Sequence, residues 1–212
     1  MASGVVPEIE TERLLLRGPT PADVDVWAAC VADPEFNRFQ PKRDLTPRER
    51  AERKLTTYQR GWERQPVPYM GWVSTTKADS RLIGLCEVSS DDEGAEGEVG
   101  YFLCPACWRQ GFTTEAARAA VRYAFEHTTW DHIVGTVAPV NVASVRVLEH
   151  LGFVREQEMS FQDYMAKVAA VLGDPTYKSV EAPVPTLAIY MLRRDQFMPG
   201  DAFYPLHDAP PS

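Results

Sequence analysis

Apolar positions along this chain change their period twice, and the changes mark out its elements. Near the start, Arg13–Arg17 reads as a short strand ended by Gly18-Pro19. From there to Glu63 the apolar residues recur every third or fourth position. Thr20-Pro21 predicts a helix start, with Thr20 as cap and Pro21 in the first turn, and Val24, Trp27, Ala28 and Val31 share one face before Asp33-Pro34. Thr46-Pro47 repeats the signal for a second helix reaching about Glu63, with Leu55, Tyr58 and Trp62 on its apolar side. Between them, Phe36, Phe39 and Pro41 form an apolar loop, read as core rather than as the lining of a pocket. From Pro68 the period shortens to two. Tyr69–Thr75, Leu82–Ser89 and Glu98–Leu103 predict three strands of an antiparallel meander, joined at Lys77-Ala78-Asp79-Ser80 and across residues 90–97.

The helical period then returns. Ala116, Ala117, Ala120, Val121, Ala124 and Phe125 make one stripe over Thr113–Thr128, with Arg118, Arg122 and Glu126 off it. Small side chains there let a helix lie close on a sheet. His132–Val137 is the next strand, and strand–helix–strand of this length implies parallel pairing with a right-handed crossover. Asn141 caps a helix carrying Val142, Val145, Leu148 and Leu151, closed by Gly152. Phe153–Phe161 predicts a strand, Gln162–Leu172 a helix with Met165, Val168, Ala169 and Leu172 on one face, and Thr186–Leu192 a last strand. The pattern predicts a mixed α/β (α+β) fold in a single domain over residues 8–198. A segment at 159–185 is longer than a simple hairpin, and the tail 199–212 has no core-forming pattern.

Composition narrows the function. The chain has 212 residues and a formal net charge of −8. It has no clustered basic run, which argues against nucleic acid as a partner, because neutralising phosphates needs grouped Lys and Arg. An acidic chain suits a cationic amine. No apolar run is long enough to span a membrane and the N-terminal residues lack a leader pattern, so a cytoplasmic location is expected. The acidic stretch Asp91, Asp92, Glu93 and Glu96 reads as a solvated hairpin tip. Four cysteines in so long a chain do not make a disulfide scaffold. Cys104-Pro105-Ala106-Cys107 invites a zinc or redox reading, but no second spaced pair completes a metal site and the next predicted helix starts only near Thr113.

The stretch Gly97–Phe153 carries the chemistry. Gln110-Gly111-Phe112-Thr113-Thr114 turns from a strand straight into a helix, presenting free N–H groups at the positive end of a helix dipole, as a phosphate requires. Thr11-Glu12-Arg13-Leu14, Glu98-Val99-Gly100-Tyr101, Gly111-Phe112-Thr113-Thr114-Glu115-Ala116, Asn141-Val142-Ala143-Ser144 and Leu151-Gly152-Phe153 stand in an order and spacing that resemble the GNAT superfamily of N-acetyltransferases, in the branch similar to the ribosomal-protein N-terminal acetyltransferases.

The resemblance implies a mostly antiparallel central sheet with a splayed parallel pair, acetyl-CoA as cosubstrate, no metal, and an amine acceptor that is either a protein N-terminus or a small molecule. It places the pantetheine against backbone groups near Phe102 and Leu103, and the pyrophosphate on Arg109, Gln110, Gly111, Phe112, Thr113 and Thr114. Asn141 is expected to contact the pantetheine arm besides capping its helix. Ser144 is expected to protonate the departing thiolate, or else to serve as a second capping hydroxyl. Two positions depart from the family: Arg109 stands where it has a small residue, often glycine, and Thr113 where it has glycine or alanine.

The implied reaction is direct attack on the thioester through a tetrahedral intermediate. An α-amine of pKa ~7.8 is about one-seventh neutral at pH 7, so it needs less help from a base than a lysine does. Glu87 and Glu98 are the candidate bases, although each on its own reads more readily as an exposed strand residue. The segment 159–185 either covers the acceptor site or forms a homodimer. A non-catalytic acyl-CoA-binding or partner-binding module on the same fold is the alternative.

Overall fold

The computed structural model describes residues 5–42, 44–63, 69–90, 96–173, 177 and 180–197. Its elements follow in the order β1 (Ile9–Glu10), β2 (Leu14–Arg17), α1 (Asp23–Ala32), α2 (Pro47–Glu63), β3 (Tyr69–Thr76), β4 (Leu82–Ser90), β5 (Glu96–Leu103), α3 (Phe112–His127), β6 (His132–Val137), α4 (Val142–His150), β7 (Val154–Ser160), α5 (Phe161–Leu172) and β8 (Thr186–Arg193). The strands form one sheet, β1-β2-β3-β4-β5-β6-β8-β7. Every neighbouring pair is antiparallel except β5 and β6, which run parallel.

The sheet is covered on both faces, which is why β3 and β4 are buried almost without alternation. On one face α3 packs its alanines, with Ala117, Ala120 and Ala124 fully buried, against Trp72, Cys86 and Val88. Tyr123 joins Trp62 and Trp72 in an edge-on aromatic cluster with centroids 5.0, 5.4 and 6.0 Å apart, each such pair worth about 0.5–1.5 kcal/mol beyond area burial. The buried indoles are satisfied: Trp62 donates to the Gly71 carbonyl and Trp72 to that of Pro7. On the other face α1 and α2 bury Trp27, Val31, Leu55 and Tyr58 against Val73 and Leu85. A third, smaller cluster joins α5 to the α1–α2 loop through Phe161, Met165, Val180 and Phe39.

The predicted elements are present with bounds shifted by a residue or two. The start of α1 differs in its chemistry. Thr20 does not cap the helix; its N–H and hydroxyl both donate to Asp23, whose carboxylate also takes two bonds from Arg17. The helix starts at Asp23 with Ala22 in the cap position, and no side chain bonds its first turn there. Met165 and Ala169 are buried on α5 as the spacing requires. Leu172, the last of that apolar face, lies outside the residues whose side chains are described, as does the tail 199–212.

Candidate active site

The site is built where the parallel pair parts. β5 and β6 pair only at Glu96↔His132, Gly97↔Ile133 and Glu98↔Val134, although both strands continue. Which main-chain groups this frees is set by strand phase. Cys104 N–H donates to the Ile83 carbonyl at 2.8 Å. Two-residue alternation then turns the main chain of Phe102 and Gly100 towards β4, and that of Tyr101 and Leu103 into the cleft. The expectation for Phe102 is therefore corrected. Its main chain is spent on β4 and its contribution is a ring in the wall of the cavity described below. At Leu103 the carbonyl accepts from the Trp108 indole at 2.8 Å. Tyr101 is thus the residue whose N–H and C=O both face the cleft.

Beyond β5 a short 3-10 turn, Pro105–Cys107, leads into the phosphate-suited loop. Arg109 and Gly111 both hold left-handed backbone, with φ of 61° and 79°. Glycine accepts that conformation freely; an arginine there costs on the order of 1 kcal/mol, and such strain gathers at ligand sites. It explains the small residue that the resemblance calls for at this position. Glu115 N–H makes the first intrahelical bond, to the Gly111 carbonyl. The amides of Phe112, Thr113 and Thr114 precede it and have no partner within the helix. Arg109 and Gln110 are exposed beside them, and Thr113 and Thr114 are half-buried. Such a set of donors fits a pyrophosphate.

The loop is staked to the turn between β1 and β2. Glu115 accepts from the Thr11 hydroxyl (2.5 Å), Arg13 N–H (2.8 Å) and Arg13 Nε (2.7 Å). Arg13 in turn donates to the Gln110 carbonyl at 2.9 Å and stacks on the Phe112 ring at 4.5 Å.

α4 brings Asn141 and Ser144 to the site. Its close approach to the sheet requires Gly135, where an added Cβ would lie 2.4 Å from Leu148 Cδ2. Asn141 caps the helix by accepting from Ser144 N–H at 3.3 Å. Ser144 Oγ is not a second cap. It lies 2.9 Å from the Tyr101 hydroxyl, which also reaches the Ser144 carbonyl at 3.1 Å. Burial pushes the Tyr101 phenol up, so it stays protonated. Tyr101 is a candidate site residue that the sequence alone did not single out. Its place in the motif was visible, but its pairing with a serine 43 positions later was not.

A cavity of about 870 Å³ opens on the α1–α2 side and reaches Asn141, Ser144 and Tyr101. Its floor carries three carboxylates. Glu87 and Glu98 are not exposed strand residues. Glu87 is 9 % exposed, and its Oε2 accepts from Tyr58 OH at 2.5 Å and sits 2.6 Å from Lys54 Nζ. Glu98 lines the same cavity with hydrogen bonds to Thr136 and Tyr164. Burial raises its pKa, and those two bonds offset only part of the rise. Glu96 belongs to β5 rather than to a solvated tip. Its burial, which alone would raise its pKa, is outweighed by Lys167 at 2.5 Å and His132 at 3.0 Å, and the net shift is downward. Asp91, Asp92 and Glu93 lie outside the described residues. Phe36 and Phe39 line the cavity too, half-buried, so they serve pocket and core together. The segment 159–185 supplies the far wall through Tyr164, Met165, Lys167 and Tyr177.

The cysteines sort differently from their spacing. Cys104 is bonded to Cys30 at the end of α1, 74 positions away, while Cys107 and Cys86 are buried thiols. That pairing removes Cys104 as a nucleophile or metal ligand, and it is a feature that reducing compartments disfavour. Among the described residues no three His, Cys, Asp or Glu side chains gather to hold a metal, and no helix is long and apolar enough to cross a membrane.

A parallel pair that parts, a helix start suited to phosphate and an acid–hydroxyl cavity at the gap define a coenzyme A-dependent acyltransferase. The chain belongs to the GNAT family: the model of the Acetyltransferase (GNAT) domain matches residues 13–154. It is an acetyl-CoA-dependent acetyltransferase. It is similar to the uncharacterized N-acetyltransferase YoaA of Bacillus subtilis, 28 % identical over 71 % of this chain and 84 % of that one. Among solved structures it resembles RimJ of Mycobacterium smegmatis in complex with CoA-disulfide (TM-score 0.71, 16 % identity, 92 % of this chain and 91 % of that one). It also resembles a GNAT-family acetyltransferase from Bacillus anthracis (TM-score 0.67, 20 % identity, 89 % and 99 %). At these identities the likeness to the two structures is one of fold.

Proposed function

We propose that the protein moves the acetyl group of acetyl-CoA to a primary amine by direct attack, with Glu98 as general base and Ser144 as proton donor to the departing thiolate. The observation that carries this reading is that one cavity is lined by a half-buried carboxyl of raised pKa, Glu98, and by the Ser144–Tyr101 hydroxyl pair. Acid and base on either side of one reacting carbon are what the reaction needs. Glu87 is the weaker base, because Lys54 and Tyr58 already occupy its carboxylate.

The remaining site residues take tasks suited to their place. Tyr101 and Leu103 offer cleft-facing main-chain groups to the pantetheine amides, in the manner of an added strand. Gln110, Gly111, Phe112, Thr113 and Thr114 offer N–H groups to the pyrophosphate, with the Arg109 guanidinium beside them. Asn141 holds the start of α4 over the thioester. The N-terminal dipole of that helix favours the charge that develops on sulfur.

The acceptor belongs to the amines that an acidic, aromatic-walled cavity suits: a small-molecule amine or a peptide N-terminus. Titration with acetyl-CoA, followed by release of free thiol over a panel of amines and peptides, tests the whole reading. Binding without turnover of any member would favour a non-catalytic module.

Ser144→Ala lowers kcat roughly tenfold with acetyl-CoA affinity unchanged. The effect is modest because a thiol of pKa ~8.5 is a fair leaving group even unassisted. Tyr101→Phe has a smaller effect, about threefold, and adds nothing to Ser144→Ala in the double variant, since the phenol acts through the serine. Additive losses would separate the two hydroxyls.

A further inference from the structure

Lys54 is an amine already standing in the acceptor cavity. α2 carries it over the sheet, and its Nζ lies 2.6 Å from Glu87 Oε2 and donates to the Tyr69 hydroxyl at 3.0 Å. Three rings surround the ammonium: Phe102 at 4.7 Å, Tyr58 at 5.3 Å and Tyr69 at 5.6 Å. Aromatic faces beside a carboxylate are how proteins bind a cationic amine as a ligand. Here the chain occupies such a place with its own side chain.

That place adjoins the transfer centre. Glu87 sits opposite Gly100 on β5. Phe102 is the next residue on the same face of that strand, and Tyr101 between them turns its main chain into the cleft. Lys54, Gly100, Tyr101 and Ser144 line one cavity.

Resting on the acetyltransferase reading above, we propose that Lys54 is itself an acceptor, acetylated in cis by the acetyl-CoA bound to the same chain. The neutral Nζ attacks the thioester carbonyl carbon; a C–N bond forms and the C–S bond breaks. Of the two protons the nitrogen gives up, the first passes to Glu87 before attack and from there to solvent, and the second restores the Ser144 hydroxyl, whose own proton goes to the thiolate as free coenzyme A leaves. The amide product carries no charge, so the ion pair to Glu87 is lost. The carboxylate is then left facing the cavity as a counter-ion for an incoming cationic amine.

The test is peptide mapping by mass spectrometry after incubating the full chain with acetyl-CoA. Lys42, 73 % exposed, serves as the internal measure of uncatalysed acetylation. The expected result is Lys54 modified at least about tenfold faster than Lys42, as a pre-positioned nucleophile requires. Ser144→Ala should slow Lys54 and leave Lys42 unchanged. Modification of Lys54 no faster than that of Lys42, or a rate indifferent to Ser144→Ala, overturns the proposal. Calorimetry on the same sample separates the two levels. Acetyl-CoA bound with Lys54 unmodified removes the self-acceptor alone, whereas no binding removes the acetyltransferase reading beneath it.

Discussion

Glu98→Gln is expected to lower turnover by about two to four orders of magnitude while leaving acetyl-CoA affinity unchanged. The substitution keeps the size of the side chain and much of its bonding to Thr136 and Tyr164, and removes only the ability to take a proton. In the parent protein the raised pKa sets the pH profile. The base must be ionised, so kcat/KM falls as pH drops through the Glu98 pKa, and that limb lies above the ordinary carboxylate value of ~4.3.

Stability moves the other way. A carboxyl whose pKa is higher folded than unfolded favours the fold when protonated. Its penalty grows as pH rises through that window, since the native state then binds more protons than the unfolded one. Neutral glutamine escapes this penalty, so at neutral pH the variant should melt above the parent. Lost turnover with a raised Tm marks a group kept for chemistry at the expense of stability. Full activity in the variant, or an acid limb that stays where it was after the substitution, would move the base elsewhere, with Glu87 next in line.

Much of this site was legible in the residues alone. The phosphate-suited loop and the Asn141 cap are local: a glycine before a helix, and an amide side chain three residues ahead of the N–H it caps. Local chemistry is written in adjacent letters. The strand phase is not. Residues 101 and 102 look equivalent until a single bond, Cys104 to Ile83, shows which of them faces β4.

Nor could spacing reveal that Glu87 is buried and Glu98 half-buried. A period of two puts them on one face of the sheet, but what covers that face comes from Tyr58, 29 positions before Glu87, and from Tyr164 on α5. The disulfide is the extreme case. C-x-x-C drew attention to Cys107, whereas the fold joins Cys104 to a residue at the end of α1. Thr20 failed as a cap for a related reason: Arg17 and Asp23 already formed a pair into which its hydroxyl fitted.

Glu115→Ala should destabilise the protein by about 2–3 kcal/mol and weaken acetyl-CoA binding roughly tenfold, although Glu115 itself need not touch the coenzyme. The carboxylate is 8 % exposed and holds the β1–β2 turn and the phosphate-suited loop together through Thr11 and Arg13. Arg13 is 42 % exposed, so solvent screens the pair and the stability loss falls short of that for a fully buried one. Without its partner Arg13 no longer fixes the Gln110 carbonyl or the Phe112 ring. The donors of the first turn of α3 then have to be ordered at the moment of binding, and that ordering is drawn from affinity. Glu115→Gln keeps the shape and can still accept bonds from Thr11 and Arg13, and it should fall between parent and alanine on both scales. Calorimetric titration with acetyl-CoA and a thermal melt read the two effects separately. A melt lowered with affinity intact would make Glu115 a structural brace alone, and would leave the loop amides ordered without help from the β1–β2 turn.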